Sequence, residues 1–333
     1  MKNRILYVDY MKALAMILVI MGHVNFANDS VKAWIYSFHM PAFFFCTGLV
    51  LSFGGGAVSL KETFKNKFQR LMLPYLLWGL IYAKFSFPNL LKICYGSSWA
   101  VAASGSSSSL WFLPVMFVAL MFFYVYIKIG LADKLIYNLL VMIIPFFIGC
   151  FLPHLNIGYP WGSNVAFMAF AFMMLGYIVK GYIGKLYHVI KTNKRKGALG
   201  FLFLSLLMFA GTFTYHLNNT GSIVMMKNAQ YGNYGLFALT AIIGTLMLLF
   251  ISMFLESLNT RVLNWLSYIG SNTLCIFVVH RPIIILFDQI FRRVHVSEFV
   301  VLPITTIGVL LISCILCMFI NRHLPVLIGK NYK

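Results

Sequence analysis

The chain has 333 residues, enough by length for two soluble domains, but 61% of them are hydrophobic and only 10% are charged. Soluble domains average about 45–50% apolar and about 25% charged residues, so too few charges remain to coat a water-soluble globule. Composition therefore excludes a disordered chain, a disulfide scaffold and an ordinary cytosolic enzyme, and leaves an all-α integral membrane protein. The net charge of +19, from 26 Lys+Arg against 7 Asp+Glu, would suggest nucleic acid in a soluble protein. Here the basic residues crowd into short loops between apolar stretches, so nucleic acid is not expected as a partner.

A bilayer core of about 30 Å takes roughly 20 helical residues per crossing. Apolar stretches of that length predict a polytopic bundle of about ten transmembrane helices, at 6–26, 34–53, 71–87, 110–128, 136–152, 164–183, 198–216, 234–254, 267–287 and 299–320. The weakest is 267–287, where Ser271, Asn272 and Thr273 interrupt the apolar run. No cleavable leader is expected, because the first apolar stretch is too long and has no small-residue cleavage site. With no long linker, internal repeat or appended soluble part, residues 1–333 read as a single transmembrane domain. The stretch from Ser104 to Ser109 reads as a flexible connector in the longest outer loop.

Lys and Arg divide unevenly between the alternate loops. One set carries 18, including Lys61, Lys65, Lys67, Arg70, Lys194, Arg195 and Lys196, and the opposite set carries 5, including Lys32, Lys92 and Lys227. By the positive-inside rule both termini lie in the cytoplasm of a cell-membrane protein. The six cysteines fall mainly in apolar stretches. Cys314 and Cys317 form a CxxC inside a span with no second pair, so no metal is expected.

An ionisable residue inside a span is a functional-site hypothesis by default. The first span, YVDYMKALAMILVIMGHVNF, holds three. Lys12 and His23 are eleven residues apart, which at 100° per residue puts both on one helix face roughly 16 Å apart along the axis. Asp9, three residues before Lys12, is spaced to neutralise it. Singly, Lys12 reads equally well as a snorkelling lysine and His23 as an interfacial histidine. Together, on one face and with an acidic partner, they favour function. The second span opens SFHMPAFFFCTG, and His39 in its outer half is expected to share a cavity with His23. A neutral imidazole is the usual base for activating a hydroxyl.

The inner loop after that span places Lys61, Lys65, Lys67 and Arg70 within ten residues. Positive-inside topology explains basic residues there, and so does a site for a phosphorylated donor. Trp111 opens the fourth span, either as an aromatic-belt residue or as part of a substrate site. In the ninth, His280 and Arg281 lie toward the outer half. An arginine at that depth needs a partner, and Asp288 or a substrate group is the candidate.

Five blocks then resemble, in order, the acyltransferase-3 family of integral-membrane acyltransferases. They are the Lys12–His23 spacing, SFHMPAFFFCTG, the basic loop running into RLMLPYLLW, LWFLP, and SNTLCIFVVH. The likeness is nearest to sugar and polysaccharide O-acetyltransferases of the fucose 4-O-acetylase-like branch. It implies an acyl-CoA-dependent enzyme that moves acetyl from cytoplasmic acetyl-CoA to a hydroxyl of a surface or lipid-linked polysaccharide. By motif, His23 matches the family's catalytic histidine and Lys12 its basic partner, while Lys67 and Arg70 match a basic RxxR element with Lys in its first place.

The reading is thus His23, Lys12, His39 and Asp9 as catalytic residues, and Lys65, Lys67 and Arg70 at the acetyl-CoA. Trp111, His280 and Arg281 are assigned to the glycan acceptor. Membrane lipids are the surroundings, and a homo-oligomer is compatible with the pattern. A polysaccharide exporter or small-molecule transporter is the rival of another class, and a succinyl-type donor on the same scaffold is the nearer alternative.

Overall fold

The computed structural model describes residues 5–25, 27–53, 59–105, 107–193, 197, 199–200, 203–204, 206–211, 223–258, 263–293 and 297–331. Lys2, Arg4, Lys194, Arg195, Lys196, Arg261, Lys333 and much of the expected span 198–216 lie outside these residues.

Among the described residues the architecture is all-α. The first helices are α1 (Leu6–His23), α2 (Asp29–Tyr36), α3 (His39–Ser52) and α4 (Leu60–Lys67). A π-helical turn, Phe68–Met72, joins α4 to α5 (Leu73–Tyr82). Two short helices, α6 (Phe87–Tyr95) and α7 (Ser98–Ala103), precede α8 (Phe112–Ile129) and α9 (Leu135–Phe151). Then come α10 (Ser163–Ile178) and α11 (Lys180–Thr192). The last described helices are α12 (Tyr234–Leu258), α13 (Asn264–Ser271), α14 (Thr273–Phe291) and α15 (Glu298–His323).

Seven helical stretches among the described residues are long and apolar enough to cross a membrane: Leu6–His23, Asp29–Ser52, Ser108–Ile129, Pro160–Ile178, Tyr234–Leu258, Thr273–Phe291 and Glu298–His323. Leu135–Phe151 is a shorter apolar helix. The expected span at 71–87 stops early, because α5 ends at Tyr82 and Lys84 and Phe85 take positive φ values of 52° and 56°. The interruption at Ser271–Thr273 is a real break, with Asn272 separating α13 from α14. The described part of the Ser104–Ser109 stretch is better ordered than a flexible linker. Ser104 is buried and bonds back to Val101 O at 2.7 Å, and Ser108–Trp111 form a 3-10 turn.

The chain divides into two compact units. The first comprises residues 1–50, 179–224 and 231–317. Its centre is α1, which packs against α2, α12, α13 and α14. Met11, Ala13, Met16, Val19 and Ile20 are all buried there, as expected of a mostly apolar helix with neighbours on several sides. At the α1–α13 crossing, a Cβ added to Gly270 would lie 1.9 Å from Asp9 O, so only glycine allows this approach. Ile5 offers no side-chain cap to α1. Glu256 supplies the missing acceptor: its Oε2 takes the Tyr7 N–H at 2.9 Å and its Oε1 the Tyr187 hydroxyl at 2.6 Å. A carboxylate at this end also suits the helix dipole.

The second unit comprises residues 51–178, 225–230 and 318–333. Here α10 packs on α8 and α9, and α5 packs on α6 and on the 3-10 turn Pro325–Ile328. On α9, Ile136, Leu140, Ile143, Phe147 and Phe151 are exposed at helical spacing. An apolar stripe turned outward fits lipid rather than water.

Candidate active site

The first unit brings its polar residues together at the C-terminal end of α1. His23 is the last residue of that helix, so nearby carbonyls lack intrahelical donors. The Tyr36 hydroxyl donates to Gly22 O at 2.8 Å, and Arg281 Nη1 donates to His23 O at 2.8 Å. A guanidinium is favoured at this end of the helix dipole. The expected Arg281 partner was Asp288 or a substrate group. The Arg281 hydrogen bond seen here goes to the backbone of the helix that carries His23, and the Asp288 carboxylate lies near enough to feel the charge of Arg281.

His23 Nδ1 lies 3.0 Å from His280 Nε2, with the two rings stacked at 5.2 Å between centroids and 20° between planes. His280 is fully buried, and its Nδ1 lies 2.6 Å from Phe277 O. These contacts assign the tautomers when both rings are neutral. A carbonyl only accepts, so His280 Nδ1 carries its proton and His280 Nε2 is the acceptor nitrogen. His23 Nδ1 must then donate, which leaves His23 Nε2 as the unprotonated, basic nitrogen of that ring. A residue tied to one backbone carbonyl thus presets the protonation pattern of another, 257 positions away.

Beyond His23, the Asn25 side-chain amide donates to Asp288 Oδ2. Asp288 is 3% exposed, and its Oδ1 is buried with no hydrogen-bond partner among the described residues. A buried, unsatisfied carboxylate oxygen is uncommon enough to call for a donor.

Of the other expected site residues of this unit, Asp9 and Lys12 sit apart from that cluster and His39 adjoins it through Tyr36. Asp9 Oδ1 and Lys12 Nζ form an ion pair at 2.8 Å near the opposite end of α1. His39 is buried, with Nδ1 2.7 Å from Ile35 O, bridging the joint between α2 and α3. His39 is not joined to His23 directly. Tyr36 has its ring 5.3 Å from that of His39 and 6.5 Å from that of His23.

In the second unit, Lys67 ends α4 and Arg70 lies in the π-helical turn. Lys67 is half-buried with Nζ 5.6 Å from the Tyr124 ring centre, whereas Lys65 and Arg70 are exposed. Burial, and after it the charge of Arg70, holds Lys67 below the ordinary lysine range. Neither Lys67 nor Arg70 has a carboxylate ion-pair partner among the described residues. The C-terminal turn backs this segment. Trp78 Nε1 donates to Leu327 O at 2.9 Å, the Gln69 amide donates to Asn331, and Gly329 rests against Gln69 O. Trp111 is 7% exposed, folded into the protein at the start of α8.

Tyr36, Asn25 and Glu256 did not stand out in the sequence. Asn25 follows His23 by two positions and was the one with a readable signal. Tyr36 and Glu256 act through partners distant in the chain.

A model of a known family, described as an acyltransferase domain, matches residues 5–320. No curated protein and no solved structure matches the chain. The family and the long apolar helices together make this a membrane protein.

Proposed function

The chain belongs to the acyltransferase-3 family, and from that premise we propose that it is a membrane O-acetyltransferase with His23 as general base. The observation that supports this reading is the series Phe277 O, His280, His23, whose contacts leave His23 Nε2 without the proton when both rings are neutral. The donor is cytoplasmic acetyl-CoA, with its phosphates at Lys67 and Arg70 and Lys65 adding charge nearby. The acceptor is a hydroxyl of a surface or lipid-linked polysaccharide in the cell membrane, both chain termini being cytoplasmic.

In the transfer step, His23 Nε2 takes the hydroxyl proton as the acceptor oxygen attacks the thioester carbonyl. The carbon–sulfur bond breaks, the thiolate of CoA leaves and receives that proton from His23, and an O-acetyl ester remains. Tyr36 and Arg281 hold the end of α1 so that the imidazole keeps its place. Asp288 Oδ1 is an acceptor suited to a second sugar hydroxyl. Lys12, paired with Asp9 and roughly 16 Å along the helix from His23, is assigned to the donor's acyl arm rather than to the proton transfer.

The test is label transfer from radioactive acetyl-CoA into extracted glycan, in membranes carrying either wild type or His23→Ala. A general base typically contributes about 10²–10⁴-fold, so the variant should incorporate no more than about a hundredth of the wild-type label while its membrane abundance is unchanged. Near-normal incorporation would remove His23 from the mechanism.

A further inference from the structure

The second unit contains a cavity of about 200 Å³, where the segments 97–99, 154–164 and 227–230 converge. Its lining residues include Trp99 and Tyr159, the amide residues Asn164, Asn228 and Gln230, and the basic residues Lys227 and His154. No carboxylate is found among the described residues that line it.

The three segments are fixed to one another before any ligand arrives. Ser97 Oγ donates to Ile157 O at 2.5 Å, the Tyr95 hydroxyl to Gly158 O at 2.8 Å, and Trp161 Nε1 to Cys94 O at 2.8 Å. Ser98 Oγ reaches Asn228 Oδ1 at 3.3 Å, and Met225 pairs with Gln230 in an isolated β-bridge. Trp161 and Ala229 sit beside the cavity with φ of 54° and 55°. Left-handed conformations at non-glycine residues cost about 1–3 kcal/mol each and persist where surrounding structure over-determines them. Two such residues beside one polar cavity mark a shape the fold maintains against local preference.

The chemistry of the wall selects the ligand class. An aromatic ring offers a flat apolar face to the C–H side of a pyranose, and primary amides both donate to and accept from hydroxyls. A wall for a neutral sugar commonly includes carboxylates to accept hydroxyl protons. This wall has none and carries a cation, so its surplus is in donors. We propose that this cavity binds a sugar unit bearing a negative group, a carboxylate or a phosphate, in an oligosaccharide chain. Lys227 takes the charge, Asn164 and Gln230 take the hydroxyls, and Trp99 takes the ring face. The inference rests on the proposed glycan acceptor, whose class it narrows to an acidic polysaccharide.

The experiment is calorimetric titration of the full-length protein in detergent with trigalacturonate, galactose 1-phosphate and neutral maltotriose. Trigalacturonate or the sugar phosphate should bind and maltotriose should not, the stronger of the two probes identifying the charged group. Lys227→Gln should weaken the acidic probe by about tenfold, in line with loss of one charge-assisted hydrogen bond. Trp99→Ala should weaken it too, and Trp99→Phe should restore it, with size-exclusion profile and melting temperature confirming that each variant is folded. Equal affinity for acidic and neutral probes, no binding of any probe, or indifference to both Lys227→Gln and Trp99→Ala would overturn the proposal. Because binding is read without turnover, the two ideas fail separately. Binding as described without acetyl transfer would defeat the enzyme reading alone, and transfer to a neutral glycan would defeat this one alone.

Discussion

Replacing His280 tests whether its hydrogen bond presets the tautomer of His23. In His280→Leu the acceptor opposite His23 Nδ1, now at 3.0 Å, disappears and the position stays buried and apolar. A typical hydrogen bond is worth about 0.5–1.5 kcal/mol net, and a buried donor left without a partner costs about 1–3 kcal/mol. At about 1.4 kcal/mol per tenfold, removing this bond shifts the two neutral tautomers of His23 by roughly one to two powers of ten. The expected result is a fall in kcat of about 10–100-fold with the KM for acetyl-CoA little changed, since the lost interaction serves proton transfer and not donor binding. His280→Gln, whose side-chain carbonyl can still accept from His23 Nδ1, should retain most of the activity. The assay is the initial rate of label transfer at saturating donor, with melting temperatures recorded for both variants. If Leu and Gln lower kcat equally while both proteins stay folded, or if Leu leaves kcat within about twofold, the tautomer argument is refuted.

Three further outcomes follow from the same geometry. Lys67 has its folded pKa held below the unfolded value by burial and then by Arg70, so it opposes folding in full below the folded pKa, and the opposition fades as pH rises from there to the unfolded pKa. A bound phosphate favours the charged form, so CoA binding should take up protons and weaken with rising pH, beginning below the ordinary lysine value of about 10.4, and Lys67→Arg should remove that weakening in titrations across pH. Glu256→Ala strands the Tyr7 N–H and the Tyr187 hydroxyl at the start of α1, and should lower stability by about 1–3 kcal/mol, seen as a reduced melting temperature in detergent, whereas an unchanged melting curve would deny Glu256 its capping role. Gly270→Ala puts a methyl 1.9 Å from Asp9 O, so α1 and α13 must separate at a cost of about 1–3 kcal/mol or more, and wild-type yield and melting would show that the crossing is looser than described.

The long apolar run that marks a membrane-length helix is a local property, and it was readable for α1, α8, α10, α12, α14 and α15. The break at Asn272 was readable too, because three small polar residues in a row remove the apolar face over almost one helical turn. The early end of α5 was not, since the residues after Tyr82 are as aromatic as a span and only the positive φ at Lys84 and Phe85 betrays the turn. The same division separates the site residues. Lys12 and Asp9 lie three apart on one helix, so their ion pair follows from spacing alone. The partner of His23 does not follow in that way. Chain proximity favours His39, across a short connection, yet His39 Nδ1 is engaged by Ile35 O four residues earlier, an option open to any histidine at the start of a helix. His280 reaches His23 only because α14 packs along α1. What the sequence did show was that His280 and Arg281 are polar residues in an apolar span and therefore need partners. Arg281 on the carbonyl of His23, and His280 on its ring, satisfy that need at a single place. Burial cost thus predicted that partners exist, and helix packing decided which ones.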